Sequence, residues 1–358
     1  MEKIIGLLDL DYFYAQCEMQ RNPQIRNKPV VIVMPSIREN SGAIATCNYA
    51  ARDLKIKSGM PLSLAKKLAD SSTIFINADK LYYEEISTKV FEIVDYFCEK
   101  VEQVSIDEAY FDLTNPSDYS KALEIANKIK QRIKSELGLT CSIGIGPNKL
   151  ISKMACSIKK PDGLFLVKKN EVDSFLSKQK VYALMGVGEK TEEEFKKHNI
   201  HLVFDIKNYK KSDLISWFGE GIGSKFYDFA FGIDDRIIEP NREKQQLSRL
   251  MTIKEDSNDF EVVSQNVDFL VDMLYKQVLD LKKKFRTISL IVVTDKMETI
   301  TKSRTKPGDI ESIDELKEIA QDLLKSFLNE STAYVRRVGV KVSNFEENTG
   351  FQKKLFDY

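Results

Sequence analysis

The stretch Val101-Glu-Gln-Val-Ser-Ile-Asp-Glu-Ala-Tyr-Phe-Asp-Leu113 decides the fold. Its flanks alternate apolar with polar residues or carry β-branched and aromatic side chains, which suits half-buried strands, and Ser-Ile-Asp-Glu interrupts the pattern. The pattern predicts a β-hairpin with Asp107 and Glu108 at its bend. Neighbouring carboxylates repel each other, and hard divalent ions such as Mg²⁺ favour oxygen ligands of this kind. A solvated turn is the alternative, since Asp is common in turns.

A third carboxylate follows an apolar run near the beginning of the sequence. The segment Lys3-Ile-Ile-Gly-Leu-Leu8 is typical of a central strand buried on both faces, and Asp9 follows it directly. If this strand pairs with the hairpin, Asp9, Asp107 and Glu108 converge into a cluster that can hold two metal ions. Two such ions clamp the attacking and leaving oxygens in phosphoryl transfer.

Five short motifs together resemble one enzyme family. They are Asp9-Leu-Asp-Tyr-Phe-Tyr-Ala-Gln16, Ala45-Thr-Cys-Asn-Tyr-Ala-Ala-Arg52, Ser105-Ile-Asp-Glu108, Gly144-Ile-Gly-Pro-Asn-Lys149 and Lys160-Pro-Asp-Gly163. Their order and spacing are similar to those of Y-family translesion DNA polymerases, in particular the archaeal DNA polymerase IV (DinB) type. The resemblance implies an α+β fold with the right-hand architecture of polymerases: palm, fingers, helical thumb and a C-terminal β-α-β-β-α-β little finger.

The resemblance also implies a division of the chain into domains. We expect the catalytic palm at 1–11 and 79–167, the fingers at 12–78, the helix-hairpin-helix thumb at 168–233, a linker at 234–246, the little finger at 247–344 and a flexible tail at 345–358. Hydrophobic periodicity predicts palm helices over 82–100, 119–137 and 148–158, on the side of the sheet opposite the catalytic acids. In the last domain it predicts helices over 260–284 and 313–329 and strands over 287–294, 299–306 and 335–342.

Composition narrows the class of protein. The chain has 358 residues, enough for at least two domains, and its 30% charged and 42% hydrophobic residues are ordinary for a soluble globular protein. The net charge is zero, so an argument for nucleic-acid binding must rest on how charge is distributed. The five cysteines form no Cys-x-x-Cys pair, and no apolar run approaches membrane-spanning length. We predict a cytoplasmic protein with reduced thiols and no membrane partner.

We assign no zinc site to His198 and His201, which have no third ligand nearby.

Tyr49 and Arg52 are candidates for binding a nucleotide. They lie three residues apart, so on a helix they share a face and can present a hydroxyl and a guanidinium to one phosphate group. An ordinary surface pair is the alternative. The resemblance implies that Lys160 binds the triphosphate, that Tyr14 stacks beneath the sugar, and that the backbone carbonyl of Leu10 is a further metal ligand. The nucleotide-binding set that it implies is Tyr12, Phe13, Tyr14, Thr46, Tyr49, Arg52 and Lys160.

Two glycine-rich turns are candidates for gripping DNA. Met185-Gly186-Val187-Gly188 precedes a predicted helix over 190–198, and Phe218-Gly-Glu-Gly-Ile-Gly223 is a weaker version of the same pattern. Glycines let backbone N–H groups approach a phosphate closely, and a helix N-terminus favours that anion. Either segment can be a plain turn between helices, but two in one small helical domain favour a non-specific grip through Gly186 and Gly188.

Basic segments of the last domain are further candidates. They lie at 282–286, 302–306 and 336–341, whereas acidic residues crowd the predicted helix between Glu311 and Asp322. We therefore expect one face of this domain to be basic and to lie along DNA phosphates, with Arg336 and Arg337 among the contacts. Solvated strand ends are the alternative for any single segment.

The tail Gly350-Phe-Gln-Lys-Lys-Leu-Phe-Asp-Tyr358 resembles the clamp-binding peptide of replication proteins. In this resemblance Gln352 seeks polar contacts, while Leu355, Phe356 and Tyr358 fill an apolar pocket on a PCNA-like sliding clamp. A polar spacer before it would let the peptide bind while the catalytic body stays on DNA.

These patterns predict a low-fidelity, template-directed DNA polymerase that adds dNMPs to a primer 3′-end and bypasses damaged bases. Asp9, Asp107 and Glu108 would be catalytic and would hold two Mg²⁺ ions, and the partners of a monomeric enzyme would be primer-template DNA, dNTPs and the clamp. One alternative is a nucleotidyl cyclase with a palm-like core, which leaves the glycine-rich turns unexplained. Another is a non-catalytic, clamp-tethered DNA-binding protein, which would not need all three acids.

Overall fold

The computed structural model of the chain describes residues 2–38, 41–115, 118–240 and 243–346. The described residues form two compact units: one lies within 2–34 and 43–240, and the other lies within 35–42 and 243–346. The predicted clamp-binding residues Gln352, Leu355, Phe356 and Tyr358 lie outside the described residues. Among those that are described, no helix has both the length and the apolar character needed to cross a bilayer.

The strands are β1 (Ile5–Leu10), β2 (Val30–Pro35), β3 (Gly42–Cys47), β4 (Ile74–Asn77), β5 (Val101–Gln103), β6 (Glu108–Asp112), β7 (Cys141–Gly146), β8 (Leu164–Leu166), β9 (Gln246–Ser257), β10 (Phe285–Thr294), β11 (Thr299–Thr305) and β12 (Val335–Phe345).

The α-helices are α1 (Phe13–Arg21), α2 (Tyr49–Asp53), α3 (Leu62–Leu68), α4 (Lys80–Phe97), α5 (Tyr119–Leu137), α6 (Lys149–Ile158), α7 (Val172–Leu176), α8 (Glu189–Lys197), α9 (Lys211–Phe218), α10 (Glu220–Ala230), α11 (Phe260–Leu281) and α12 (Ile313–Glu330).

A five-stranded sheet in the order β5-β6-β1-β7-β8 forms the centre of the first unit. The predicted hairpin is confirmed, since β5 and β6 pair antiparallel on either side of residues 104–107. The predicted central strand is confirmed too: β1 pairs antiparallel with both β6 and β7, and all its residues are buried. This register places Asp9 directly opposite Glu108.

Helices cover both faces of this sheet, so the prediction that all palm helices lie opposite the acids is wrong. Leu8 and Leu10 pack in one core with α4 and α5, whereas Ile5 and Leu7 pack against Cys156 of α6 on the other face. Asp9 alternates with Leu8 and Leu10 along β1, so it shares the α6 face.

Two glycines explain how closely α6 lies on the sheet. A Cβ atom on Gly144 would overlap the carbonyl oxygen of Ser152 and the backbone nitrogen of Cys156, and one on Gly146 would overlap the Ile151 side chain. The helical spacing of Ile151, Met154, Ala155 and Ile158 predicts that these residues pack on the sheet, but the prediction is wrong for Ile158, whose side chain is 43% exposed. Small residues make the contact with the sheet, while Leu150, Ile151, Met154 and Ala155 join a core formed with residues 165–230.

A three-stranded sheet in the order β3-β2-β4 lies between residues 30 and 77. The apolar run from Pro29 to Met34 predicts β2 and the helical pattern over 62–68 predicts α3, whereas β3 and β4 were not predicted. In β3 small residues surround Ile44, and β4 has three consecutive apolar residues in place of an alternation. Val31 and Val33 of β2 and Ile44 of β3 form one hydrophobic core with residues of α2 and α3.

The second unit contains a four-stranded antiparallel sheet in the order β11-β10-β12-β9. With α11 after β9 and α12 after β11, the predicted β-α-β-β-α-β arrangement is confirmed. Both helices pack on the sheet face that carries Ile288, Leu290 and Val340. The first helix ends earlier than predicted, at Leu281, because Lys282 adopts a left-handed backbone conformation.

Substitution of Gly144 by alanine should destabilise the first unit by about 3 kcal/mol or more, because the added methyl group meets backbone atoms of α6 that cannot move alone. Gly188→Ala is the matched control, since nothing lies within 4 Å of a Cβ atom there and the backbone φ is −103°. Urea denaturation measures both, and equal losses of stability would contradict the packing argument.

Candidate active site

Asp9 and Glu108 form a pair of facing carboxylates at one end of the central sheet. Like charges directly opposite each other on antiparallel strands are destabilising unless cations neutralise them. Burial and the neighbouring Asp9 raise the pKa of Glu108 to about 7, and Lys153 opposes that shift. The raised pKa shows that the two carboxylates lie close enough for each to disfavour a negative charge on the other.

Asp107 lies at the turn between β5 and β6. Its backbone carbonyl accepts a hydrogen bond from the Leu10 N–H at 2.9 Å, and its carboxylate accepts one from the Ser105 hydroxyl. Asp107, Asp9 and Leu10 line the same cleft of about 370 Å³. In the described part of the chain, no three acidic, histidine or cysteine side chains are close enough to hold a metal ion. The structure thus brings two of the three predicted acids together, with the third on the same cleft.

Two lysine ammonium groups contact the acid pair. Lys160 forms an ion pair with one oxygen of Asp9, while Lys153 forms one with Glu108 and lies 3.7 Å from the other Asp9 oxygen. Burial lowers the pKa of Lys160, but the Asp9 carboxylate outweighs burial and the net pKa is raised. The sequence predicted Lys160 and missed Lys153.

Asp11 is a second functional residue that the sequence missed. It is 1% exposed, and its carboxylate accepts hydrogen bonds from the Thr140 hydroxyl at 2.9 Å, the Ser142 hydroxyl at 2.8 Å and the Asp162 backbone N–H at 2.8 Å. The last bond fixes the loop that carries Lys160. Asp11 is therefore a positioning residue.

Aromatic side chains form another wall of the cleft. The Tyr14 ring stacks on Tyr83 at 4.3 Å between ring centroids, which fixes its plane. Tyr12 packs edge-on against Tyr49 at 5.4 Å, and the Arg52 guanidinium lies 4.8 Å from the Tyr49 ring centre. Among the predicted nucleotide-binding residues, those that line the cleft are Tyr12, Phe13, Tyr14, Thr46, Arg52 and Lys160.

Comparison with known proteins identifies the family. Residues 8–157 match the impB/mucB/samB family, and residues 244–355 match its C-terminal domain. DNA polymerase IV of Methanosarcina acetivorans is 38% identical over the full length of both chains, and that of Nitrosopumilus maritimus is 37% identical over 99% of each. The chain belongs to the DinB-type Y-family DNA polymerases.

Solved structures agree with this assignment. The Y-family polymerase chimera Dbh-Dpo4(243-245)-Dbh has a TM-score of 0.90 at 30% identity, covering 95% of this chain and 98% of the other. The insertion ternary complex of Dbh DNA polymerase has a TM-score of 0.70 at 31% identity with the same coverage. The predicted fold class and activity are confirmed: the protein is a translesion, metal-dependent DNA-directed DNA polymerase that acts on DNA and dNTPs. The cyclase and the non-catalytic protein are not favoured.

The thumb candidates of the polymerase lie at the beginning of α8. Gly186 has a φ of 90°, a backbone conformation that favours glycine, and Gly188 is the residue that precedes the helix. Among the described residues no side-chain hydrogen bond caps this helix end, and Glu189 and Glu192 lie in its first turn. Gly219, in the weaker turn, joins α9 to α10.

The face of the four-stranded sheet away from α11 and α12 is rich in hydroxyl groups. Strand pairing places on it Arg337 and Lys341 of β12, next to Ser248 and Thr252 of β9. The remaining hydroxyl-bearing residues on this face are Thr287, Ser289, Thr299, Thr301, Ser303, Thr305 and Ser343. We call this surface the hydroxyl face.

The predicted acidic helix is present as α12, but the prediction that the basic segments share one sheet face is wrong for the segment at 302–306. Lys302 and Arg304 lie on the helix side of β11, where they form ion pairs with Glu330 and Asp322 of α12. Lys306 likewise pairs with Glu315. Along β11 the basic residues alternate with residues that carry hydroxyl groups, so the basic side chains and the hydroxyl groups lie on opposite faces of the sheet.

Asp11→Ala should destabilise the polymerase by about 3 kcal/mol, because several buried donors lose their acceptor. It should also raise the KM for dNTP, since the loop that carries Lys160 loses its anchor. The control Asp118→Ala removes one exposed hydrogen bond at the beginning of α5 and should cost about 1 kcal/mol with no change in KM. Denaturation and steady-state kinetics test both, and an unchanged KM in Asp11→Ala would contradict the positioning role.

Proposed function

We propose that the polymerase joins dNMPs to a primer 3′-end at the cleft lined by Asp9, Leu10 and Asp107. The observation that carries this proposal is the facing pair of Asp9 and Glu108, held in register by β1 and β6 and contacted by two cations. In a protein that binds no cation at this position, replacing either acid by a neutral residue would increase the stability of the fold.

The donor types present suit Mg²⁺, and two ions would need Asp107 to be drawn in beside Asp9 and Glu108. Asp9, Glu108 and Asp107 supply hard carboxylate oxygens, and the Leu10 carbonyl belongs to the same cleft. When bound, such ions lower the pKa of the primer hydroxyl and neutralise the triphosphate. Among the described contacts, the Asp107 carboxylate accepts a hydrogen bond from the Ser105 hydroxyl of its own turn, and we infer that binding of the ions would draw it away from that contact.

The cleft walls support the predicted nucleotide site. Lys160 and Arg52 place positive charge beside the acids for the triphosphate, with the Thr46 and Tyr49 hydroxyls as further donors. The stack of Tyr14 on Tyr83 holds a rigid ring where the sugar of the nucleotide would lie. Tyr12 and Phe13 complete the floor of the site.

Two surfaces support binding of the DNA backbone. The uncapped beginning of α8 at Gly186 and Gly188 offers N–H groups, and the hydroxyl face offers hydroxyl donors with Arg337 and Lys341. Arg336 lies 3.6 Å from Asp256, so its charge is partly satisfied within the domain. Donors of this kind position a duplex without selecting its sequence.

The remaining predictions extend this proposal. The palm, fingers, thumb, linker and little finger would occupy the ranges given above. The polymerase would be monomeric and cytoplasmic. A sliding clamp would recruit it through Gln352, Leu355, Phe356 and Tyr358. Division of the chain near Glu243 supports a boundary inside the predicted linker.

Asp107→Ala and Glu108→Gln should each reduce the rate of nucleotide addition by about 100- to 1000-fold, because each removes charge that acts on the reacting phosphate. Affinity for primer-template should be retained, since the proposed DNA contacts lie elsewhere. Primer extension measures the rate of nucleotide addition, and fluorescence anisotropy measures the affinity for primer-template.

Asp112→Asn, at the far end of β6, is the matched control and should extend primers like the unmodified polymerase. Extension at the normal rate by either Asp107→Ala or Glu108→Gln would contradict the proposed site.

Arg337→Ala and Lys341→Ala should each lower the slope of log Kd against log salt concentration by about 1, because each removes one phosphate contact. Arg304→Ala is the control: its charge is paired with Asp322 on the helix side, so the slope should not change. Anisotropy titrations at several salt concentrations measure the slope. An equal change in Arg304→Ala would show that the hydroxyl face is not the DNA surface.

A further inference from the structure

Lys153 is the cation of the active site that no sequence motif singled out. It belongs to the second turn of α6, and its side chain is 31% exposed. Its ammonium group forms an ion pair with Glu108 and lies 3.7 Å from Asp9. In the described part of the chain, these two acids are its ion-pair partners.

The backbone around Lys153 is firmly held. The hydroxyl of Ser152 donates a hydrogen bond to the Ile5 carbonyl at 2.7 Å, which ties the same helical turn to β1. One turn earlier, Lys149 is 4% exposed and forms an ion pair with the equally buried Glu102 of β5. Because α6 cannot move away from the sheet, the Lys153 ammonium stays within reach of the acids.

Lys160 and Lys153 approach the acid pair from different sides. Lys160 contacts one oxygen of Asp9, whereas Lys153 lies on the side of the other oxygen and of Glu108. A divalent ion shared by Asp9 and Glu108 would use the oxygens that face Lys153. The Lys153 ammonium and the divalent ion cannot occupy that position together, because the repulsion between them would exceed the attraction of either to the two carboxylates.

We propose that Lys153 is a built-in competitor for the divalent ion at Asp9 and Glu108, an inference that rests on the proposed function. It neutralises the pair until an ion displaces its ammonium group. Lys153 thereby raises the concentration of free ion at which the active site fills. It is a positioning residue, since it acts on the acids and not on the substrate.

The test measures the thermal unfolding midpoint of the full chain against Mg²⁺ concentration at constant ionic strength, without DNA or nucleotide. Lys153→Met removes the charge and keeps the length of the side chain. Lys153→Arg keeps the charge and adds a planar fork that can bind two carboxylates. Lys159→Met is the matched control, because Lys159 is exposed at the end of α6 and forms no ion pair with these acids.

Lys153→Met should have a lower unfolding midpoint in EDTA and should reach half of its Mg²⁺-induced increase at a roughly tenfold lower concentration. Lys153→Arg should need more Mg²⁺ than the unmodified chain, and Lys159→Met should need the same amount. The arginine variant retains the charge that the fold requires, so it tests the proposal even if Lys153→Met unfolds in EDTA.

Glu108→Gln separates this inference from the proposed function. If Glu108→Gln abolishes the Mg²⁺ response while neither Lys153 variant shifts it, Lys153 is not a competitor and the metal site stands. If Glu108→Gln responds to Mg²⁺ like the unmodified chain, the acid pair is not the ion site and the proposed function itself fails.

Discussion

The candidate active site depends on the repulsion between Asp9 and Glu108, which antiparallel pairing of β1 and β6 holds face to face. The sheet that imposes this register is buried, so the acids cannot separate without disrupting the core. Two neighbouring elements supply positive charge to them or fix its position. The close approach of α6 brings Lys153, and the hydrogen bond from Asp162 to Asp11 holds the loop of Lys160.

Local sequence patterns predicted most of the framework. The hairpin around Asp107, the helix over 119–137 and the β-α-β-β-α-β domain all have strong periodicity, and all three are present. Strands β3 and β4 were missed because β3 is rich in small residues and β4 has only four residues, so neither shows an alternation of apolar and polar side chains. Family motifs located the cleft residues, but no motif says which oxygen each lysine contacts.

Residues that act through others were the hardest to find. Lys153 is one of several lysines near the end of an amphipathic helix, and only its distance to Glu108 distinguishes it from a solvated side chain. The role of Asp11 was missed because the interpretation of the motif concentrated on Asp9. The burial of Asp11 directly after an apolar strand is unusual for an acidic residue. The charges at 302–306 were misassigned because they were counted as a cluster; their alternation along the strand would have placed them on the helix side.

The ammonium groups around the acid pair also concern how this protein reaches its native state. Many small metalloproteins remain unfolded until their ion arrives, because binding of the ion supplies much of their folding free energy. Here Lys153 and Lys160 act as counter-ions to the two acids, so both carboxylates are already paired when no divalent ion is present. A divalent ion would therefore add stability to a sheet that has already formed, and would not be required to form it.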